Sequence, residues 1–147
     1  MKKLRILILL SFFSVSGFSQ TATLIVKISN IESNKGDIKL ALFNNETMEH
    51  FVYKPENAFR RETGMIKGNT ATAKFIQIPY GEYAISVFHD ENKDEILNRA
   101  AAGFPTEAYG FSNNPPGIAI PEYNESVFKI QTATKELDIQ LKKFSLK

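Results

Sequence analysis

Apolar residues in this chain recur at every second position, in short runs, and nowhere hold a helical period for long. Leu24, Val26 and Ile28 alternate with Ile25, Lys27 and Ser29, and Ile38, Leu40 and Leu42 with Lys39, Ala41 and Phe43. Tyr83, Ile85 and Val87 alternate with Glu82, Ala84 and Ser86, and Leu137, Ile139 and Leu141 with Asp138, Gln140 and Lys142. A period of two places each apolar set on one face of a strand and leaves the other face to water or a second layer. Weaker runs of the same kind lie at 58–66, 71–78 and 126–131. The pattern predicts an all-β domain of about seven strands, arranged as an antiparallel two-sheet sandwich of immunoglobulin-like or transthyretin-like plan. One short helix is expected over Glu46–Tyr53, capped by Asn44 or Asn45, with Met48, Phe51 and Val52 on one face. Gly64 and Gly68 suit turns, and Pro79-Tyr80-Gly81 reads as a tight turn into the strand that follows.

The first 19 residues have the layout of a secretory signal peptide. Lys2, Lys3 and Arg5 form a basic start, Leu4 through Val15 a short apolar stretch, and Ser16, Gly17 and Ser19 the small residues a peptidase needs. The apolar stretch falls short of the ~20 residues that span a bilayer. The expectation is therefore cleavage at 19 and a single domain over 20–147, exported to the periplasm or the medium, with no membrane span. No Cys follows the apolar stretch, which excludes a lipid-anchored lipoprotein. Without the leader's three cations, 15 basic residues face 16 acidic ones, so the net charge of +2 becomes −1. A chain with no basic excess lacks the clustered Lys and Arg that displace counterions from a nucleic acid. Zero Cys excludes disulfides and thiol chemistry, and a domain of this size can bury enough core without them.

The long connection 90–125 stands out. Structureless loops beyond ~12–15 residues are uncommon in compact domains and are often functional. Its opening, His89-Asp90-Glu91-Asn92-Lys93-Asp94-Glu95-Ile96-Leu97-Asn98, spaces oxygen-bearing side chains at alternate positions. Ca²⁺ takes six to eight oxygens at roughly 2.3–2.6 Å. Asp90, Asn92, Asp94 and Asn98 offer side-chain oxygens and Ile96 a carbonyl, for a calcium site of weak, extracellular-module affinity. The other reading is a solvated turn in which Asp and Asn bond the nearby backbone. Ala101 stands where a twelve-residue calcium loop places its bidentate Glu, which weighs toward the turn.

Further along, Phe104, Glu107, Tyr109, Phe111, Asn113 and Asn114, with Tyr123, offer rings beside amides, a combination suited to a glycan or peptide. The same rings can instead anchor the loop to the sheet, with Glu107 a buried carboxylate tied to backbone donors. A third possibility is a small hydrolase or isomerase using His89, Glu107 and Tyr109 for acid–base chemistry, which requires all three in one cleft. Strand alternation puts His89 with Ile85 and Val87, as a core-edge histidine. No Gly-x-Ser-x-Gly, His-Glu-x-x-His or phosphate loop is present, and no catalytic residue is assigned. His50 has no ligand-like neighbour, which argues against zinc.

Two stretches carry a family resemblance. His89-Asp90-Glu91-Asn92, Leu97, Gly103-Phe104-Pro105-Thr106-Glu107 and Tyr109-Gly110-Phe111-Ser112-Asn113-Asn114, preceded by Pro79-Tyr80-Gly81-Glu82-Tyr83-Ala84, resemble the bacterial family known as domain of unknown function 2141. The resemblance implies a small exported β-domain and no particular activity; a looser one is to transthyretin-like and collagen-adhesin B-type modules. In the family pattern Asp-x-Asn-x-Asn-Gly-x-Leu-Asp, this chain has Asp94 at the second Asn, Glu95 at the Gly and Asn98 at the last Asp. A non-Gly residue resists the positive φ of a sharp turn, so Glu95 puts that turn in question. The function expected is a non-enzymatic binding or structural module of the cell envelope, facing an unidentified ligand, protein or glycan. Calcium is its one candidate cofactor.

Overall fold

The computed structural model describes residues 20–144; the expected signal peptide at 1–19 lies outside the described residues. Eight strands follow one another: β1 (Thr21–Ser29), β2 (Asp37–Phe43), β3 (Arg60–Lys67), β4 (Thr70–Pro79), β5 (Gly81–Asp90), β6 (Tyr109–Phe111), β7 (Phe128–Ile130) and β8 (Thr134–Gln140). The α-helix described is α1, Tyr123–Ser126.

The strands form one nearly closed, barrel-shaped sheet, which corrects the expected two-sheet sandwich. The order is β6-β5-β2-β3-β4-β1-β8, with β7 also paired to β5. Two features turn would-be separate sheets into one. First, β3 changes partner along its length: Arg60 to Gly64 pair with β2, while Met65 to Lys67 pair with β4. Second, the ends of the order meet, because Tyr109 of β6 exchanges both backbone hydrogen bonds with Lys142 just past β8, at 2.8 and 2.7 Å. Gly110 permits this closure, since a Cβ there would lie 2.9 Å from the Gln140 carbonyl oxygen. The pairing is not wholly antiparallel either: β1 and β8 run parallel from Thr23↔Thr134 to Ser29↔Gln140. Alternation reports that one face is buried, and a barrel interior and a sandwich interior satisfy it equally.

The alternating residues fill the barrel. Leu24, Val26, Ile28, Ile38, Leu40, Leu42, Phe75, Ile85, Ile130 and Ile139 are all buried in one cluster. A second apolar cluster lies outside the barrel wall, where Ala41, Phe43, Ala84, Tyr109 and Phe111 meet Phe51. There β2 and β5 are buried on both faces. Phe51 packs edge-on to Phe43 and to Tyr123, with ring centroids 5.4 and 5.7 Å apart. Residues 44–58 and 91–127 cover this outer face. The α-helix expected over Glu46–Tyr53 is instead a 3₁₀ turn, Met48–His50. The expected Asn44 cap is not formed: Thr47 is the N-cap, with no side-chain cap hydrogen bond, and the Asn44 Oδ1 accepts the N–H groups of Glu46 and Thr47 in the bend before the turn. Val52 at φ +69° then breaks the run, and a second 3₁₀ turn starts at Pro55.

Candidate functional site

The opening of the long loop is built on three carboxylates that accept backbone N–H groups. Asp90, at the end of β5 and fully buried, accepts from Asp94 on Oδ1 at 3.1 Å and from Glu95 on Oδ2 at 3.0 Å. Gly36 at φ +71° lets the chain before β2 pass close to this point; a Cβ there would sit 1.9 Å from the Asp90 carbonyl oxygen. Glu107 reaches back from before β6, its Oε1 accepting from Glu91 and its Oε2 from Asn98, each at 3.0 Å. Asp94 gathers the tip. Its carboxylate accepts from the side-chain amides of Asn92 and Asn98 at 2.8 Å and from the Ile96 N–H at 2.9 Å. The Asn98 carboxamide first, then the Ile96 N–H and the Asn92 carboxamide, hold the Asp94 carboxyl below its ordinary pKa. Glu95 takes φ +62° and Lys93 +63°, so the sharp turn persists with Glu where the family pattern has Gly.

Asp90, Asn92, Asp94, Ile96 and Asn98 are thus brought together as a turn whose acids bond its own backbone and amides. Among the described residues, no group of three or more His, Cys, Asp or Glu side chains converges as metal ligands would.

The residues considered for acid–base chemistry do not meet in one cleft. His89 is buried on the barrel side, its Nε2 2.6 Å from the Lys35 carbonyl oxygen. A carbonyl only accepts, so Nε2 carries the proton and donates. Tyr109 pairs in register with Phe88, one residue from His89 and on the opposite face. Its hydroxyl donates to the Ile118 carbonyl at 2.5 Å. Both Glu107 oxygens accept the backbone N–H groups already named.

The aromatic and amide set divides by place. Tyr109 and Phe111 are buried in the outer cluster, and Tyr123 packs beside them. Phe104 stacks on Phe144 at a centroid distance of 4.2 Å. Asn113 donates to the Val127 carbonyl at 2.8 Å. Asn114 imitates a strand residue: its Nδ2 donates to the Asp138 carbonyl at 2.9 Å and its Oδ1 accepts the Gln140 N–H at 2.8 Å. The two amides therefore secure the chain after β6 to the edge of β8 and to the start of β7.

A site that sequence reasoning missed lies on the outer face of the sheet. A cleft of about 630 Å³ opens between the 3₁₀ turns and the loop, a size within the usual range for small-molecule sites. Its floor is the outward side of β2, β3 and β5, including Lys39, Arg61, Ser86 and Phe88. Register explains the grouping, because Lys39 pairs with both Thr63 and Phe88, and Ala41 with both Arg61 and Ser86. Val52, Tyr53, Pro55 and Glu56 form one wall, and Glu95, Ile96, Leu97 and Arg99 the other. Tyr109 and Phe111, both in the aromatic set read from the sequence, line the same cleft. Tyr53 and Ile96, on opposite walls, are 73% and 63% exposed, so both present apolar surface at the rim of the cleft. A signal for this face was present: Ala41, Phe43, Ala84 and Phe88 make the second face of β2 and β5 apolar too, which marks strands covered on both sides.

A family model described as "Uncharacterized protein conserved in bacteria (DUF2141)" matches residues 26–138. No curated protein and no solved structure matches the chain.

Proposed function

The chain belongs to that family, and from this premise we propose that it is an exported binding module of the cell envelope whose ligand sits in the cleft between the 3₁₀ turns and the 95–99 segment. The observation that carries the reading is the cleft itself: a concave site whose floor mixes charged, polar and aromatic side chains, with two exposed apolar side chains at its rim. Export is supported by the basic, apolar and small-residue succession at 2–19. Among the described residues no helix is long and apolar enough to cross a membrane.

A cleft-based ligand fits better than one held by the loop amides, because Asn113 and Asn114 spend their hydrogen bonds on backbone groups. The test uses N-phenyl-1-naphthylamine, a neutral apolar probe that brightens on leaving water. The protein from residue 20 onward is expected to bind it at one site, and Ser86→Phe, which fills the floor from β5, is expected to abolish the signal while leaving the unfolding midpoint within a few degrees. Equal brightening of both proteins would place the probe elsewhere and sink the reading. Export is tested separately, by fractionating cells that express the chain with and without residues 1–19.

Weak calcium binding by Asp90, Asn92, Asp94, Ile96 and Asn98 is a second reading. The fold brings Asn92 and Asn98 within hydrogen-bond reach of Asp94, and binding requires each carboxamide to present its Oδ1 in place of the Nδ2 that now donates to the carboxylate. A midpoint that rises in 10 mM CaCl₂ over EDTA, and does so no longer in Asp90→Ala, would support it. Identical midpoints in the two solutions would leave the loop as a turn.

A further inference from the structure

Three cations, Lys39, Arg61 and Arg99, and three anions, Glu56, Glu62 and Glu95, line the cleft, but they are not all paired. Lys39 on the floor is 3.5 Å from the Glu95 carboxylate, so these two largely offset each other. Glu62 also lines the cleft, although strand alternation directs it to the opposite face of β3 from Arg61. Arg61 and Arg99 share the lining with Glu56 and Glu62. Among the described residues neither arginine forms an ion pair. Arg99 is nonetheless held in place, donating from Nη1 to the Gly103 carbonyl at 3.0 Å, which uses one of its five N–H groups. Its guanidinium is close enough to Tyr109 to offset part of the upward push that burial gives that hydroxyl. Both cations therefore line a cleft whose apolar surfaces include Phe88, Leu97 and the exposed Tyr53 and Ile96.

We propose that the ligand is a small amphipathic organic anion, its carboxylate or phosphate head between Arg61 and Arg99 and its apolar body on Phe88 between Tyr53 and Ile96. The inference rests on the reading of the cleft as the binding site and adds the class of ligand. Arginine suits this role because its planar donor fork meets a two-oxygen anion with paired hydrogen bonds and is weakly hydrated beside apolar surface. The apolar body supplies affinity by leaving water, and the head fixes orientation.

The experiment is displacement of N-phenyl-1-naphthylamine by decanoate, decyl phosphate and decanol, each below its micellar concentration. Decanoate or decyl phosphate is expected to displace the probe at about tenfold lower concentration than decanol, the scale of one charge-assisted contact. Arg61→Gln and Arg99→Gln are each expected to erase that preference and to leave decanol within about twofold of its original value. The better of the two anions tells which head the site takes. Decanol matching both anions would overturn the anionic assignment while the cleft reading stands. A probe that no ligand displaces, or that Ser86→Phe fails to exclude, would remove the cleft reading itself. Circular dichroism of each variant separates a lost contact from a lost fold.

Discussion

Glu107 is where loop order, stability and the cleft wall meet. It is 6% exposed, and its two oxygens accept the N–H groups of Glu91 and Asn98, which bracket the segment carrying Glu95, Ile96 and Leu97. Glu107→Ala leaves two donors without a partner. A hydrogen bond to a charged group contributes about 1.5–3 kcal/mol, and both donors are only partly buried, so the lower figure applies. The expected cost is about 3 kcal/mol in all. For a domain of this size, 1 kcal/mol moves the midpoint by roughly 3–5 °C, so the fall should be about 10 °C. Glu107→Gln sharpens the test, because a carboxamide can accept from one of the two N–H groups and turns an N–H toward the other. Its expected cost is at least half that of Ala.

The assay is thermal and urea unfolding of the three proteins, with amide hydrogen exchange at Glu91 and Asn98 and binding of the neutral apolar probe. Exchange at both amides should accelerate in Glu107→Ala, and probe binding should weaken because Ile96 and Leu97 lose their fixed position. A midpoint within about 2 °C of the parent would refute the reasoning, since it falls well short of one charged hydrogen bond. Glu107→Gln matching the parent would refute the two-oxygen part alone.

Three other outcomes follow from the same geometry. Gly110→Ala places a Cβ 2.9 Å from the Gln140 carbonyl oxygen and 2.9 Å from Ile139 Cγ2 at the barrel seam. It should cost about 1–3 kcal/mol in urea unfolding and speed exchange of the Lys142 amide, and an unperturbed seam would contradict the closure. Glu95→Gly relieves a positive φ worth about 1–2 kcal/mol, less the added freedom of Gly when unfolded and the exposed pair with Lys39. A net gain of about 0.5 kcal/mol is expected, and a lowered midpoint would mean that Glu95 carries more than its backbone shape. The Asp94 carboxyl lies below its ordinary value of 3.8 when folded, so its contribution is fully present above pH 3.8 and is lost as pH falls through the lower folded value. Amide shifts of Ile96 followed by NMR should move in that acid range in the parent and stay flat there in Asp94→Asn.

The strands were legible because alternation is a local property. Leu24, Val26 and Ile28 need only the pleat to face one way. The closure was not, because it depends on pairs remote in sequence: Tyr109 with Lys142, Thr23 with Thr134, and a β3 that leaves one neighbour for another near Gly64. The short helix failed for a nearer reason. Asn44 bonds the bend before Met48 and does not cap the turn, and Val52 at positive φ and Pro55 confine Met48, Phe51 and Val52 to turns packed on the sheet. The loop acids were legible as a group and not in their partners. Only the fold brings Glu107 back to Glu91 and Asn98.

The cleft was beyond sequence reading because three distant segments build it, yet its position follows from β5. That strand gives its inner face to the barrel and one edge to β2, and divides its other edge between β7 at Gly81–Tyr83 and β6 at Ser86–Phe88. The chain between β5 and β7 must therefore leave the barrel, return to pair as β6, and leave again. The first excursion is drawn in by Glu107 and the second by Asn113, Asn114 and the Tyr109 hydroxyl. Both lie over the outer face of β2 and β5, but neither spans it, and the turns at 48–57 fill from the far side. The space left between them is the cleft. Arg61 and Arg99 reach it from a strand and a loop that, among the described residues, share no hydrogen bond, so an anion seated between them would tie the loop to the barrel wall. Protection of the Asn98 and Arg99 amides should then rise with bound decanoate more than with bound decanol.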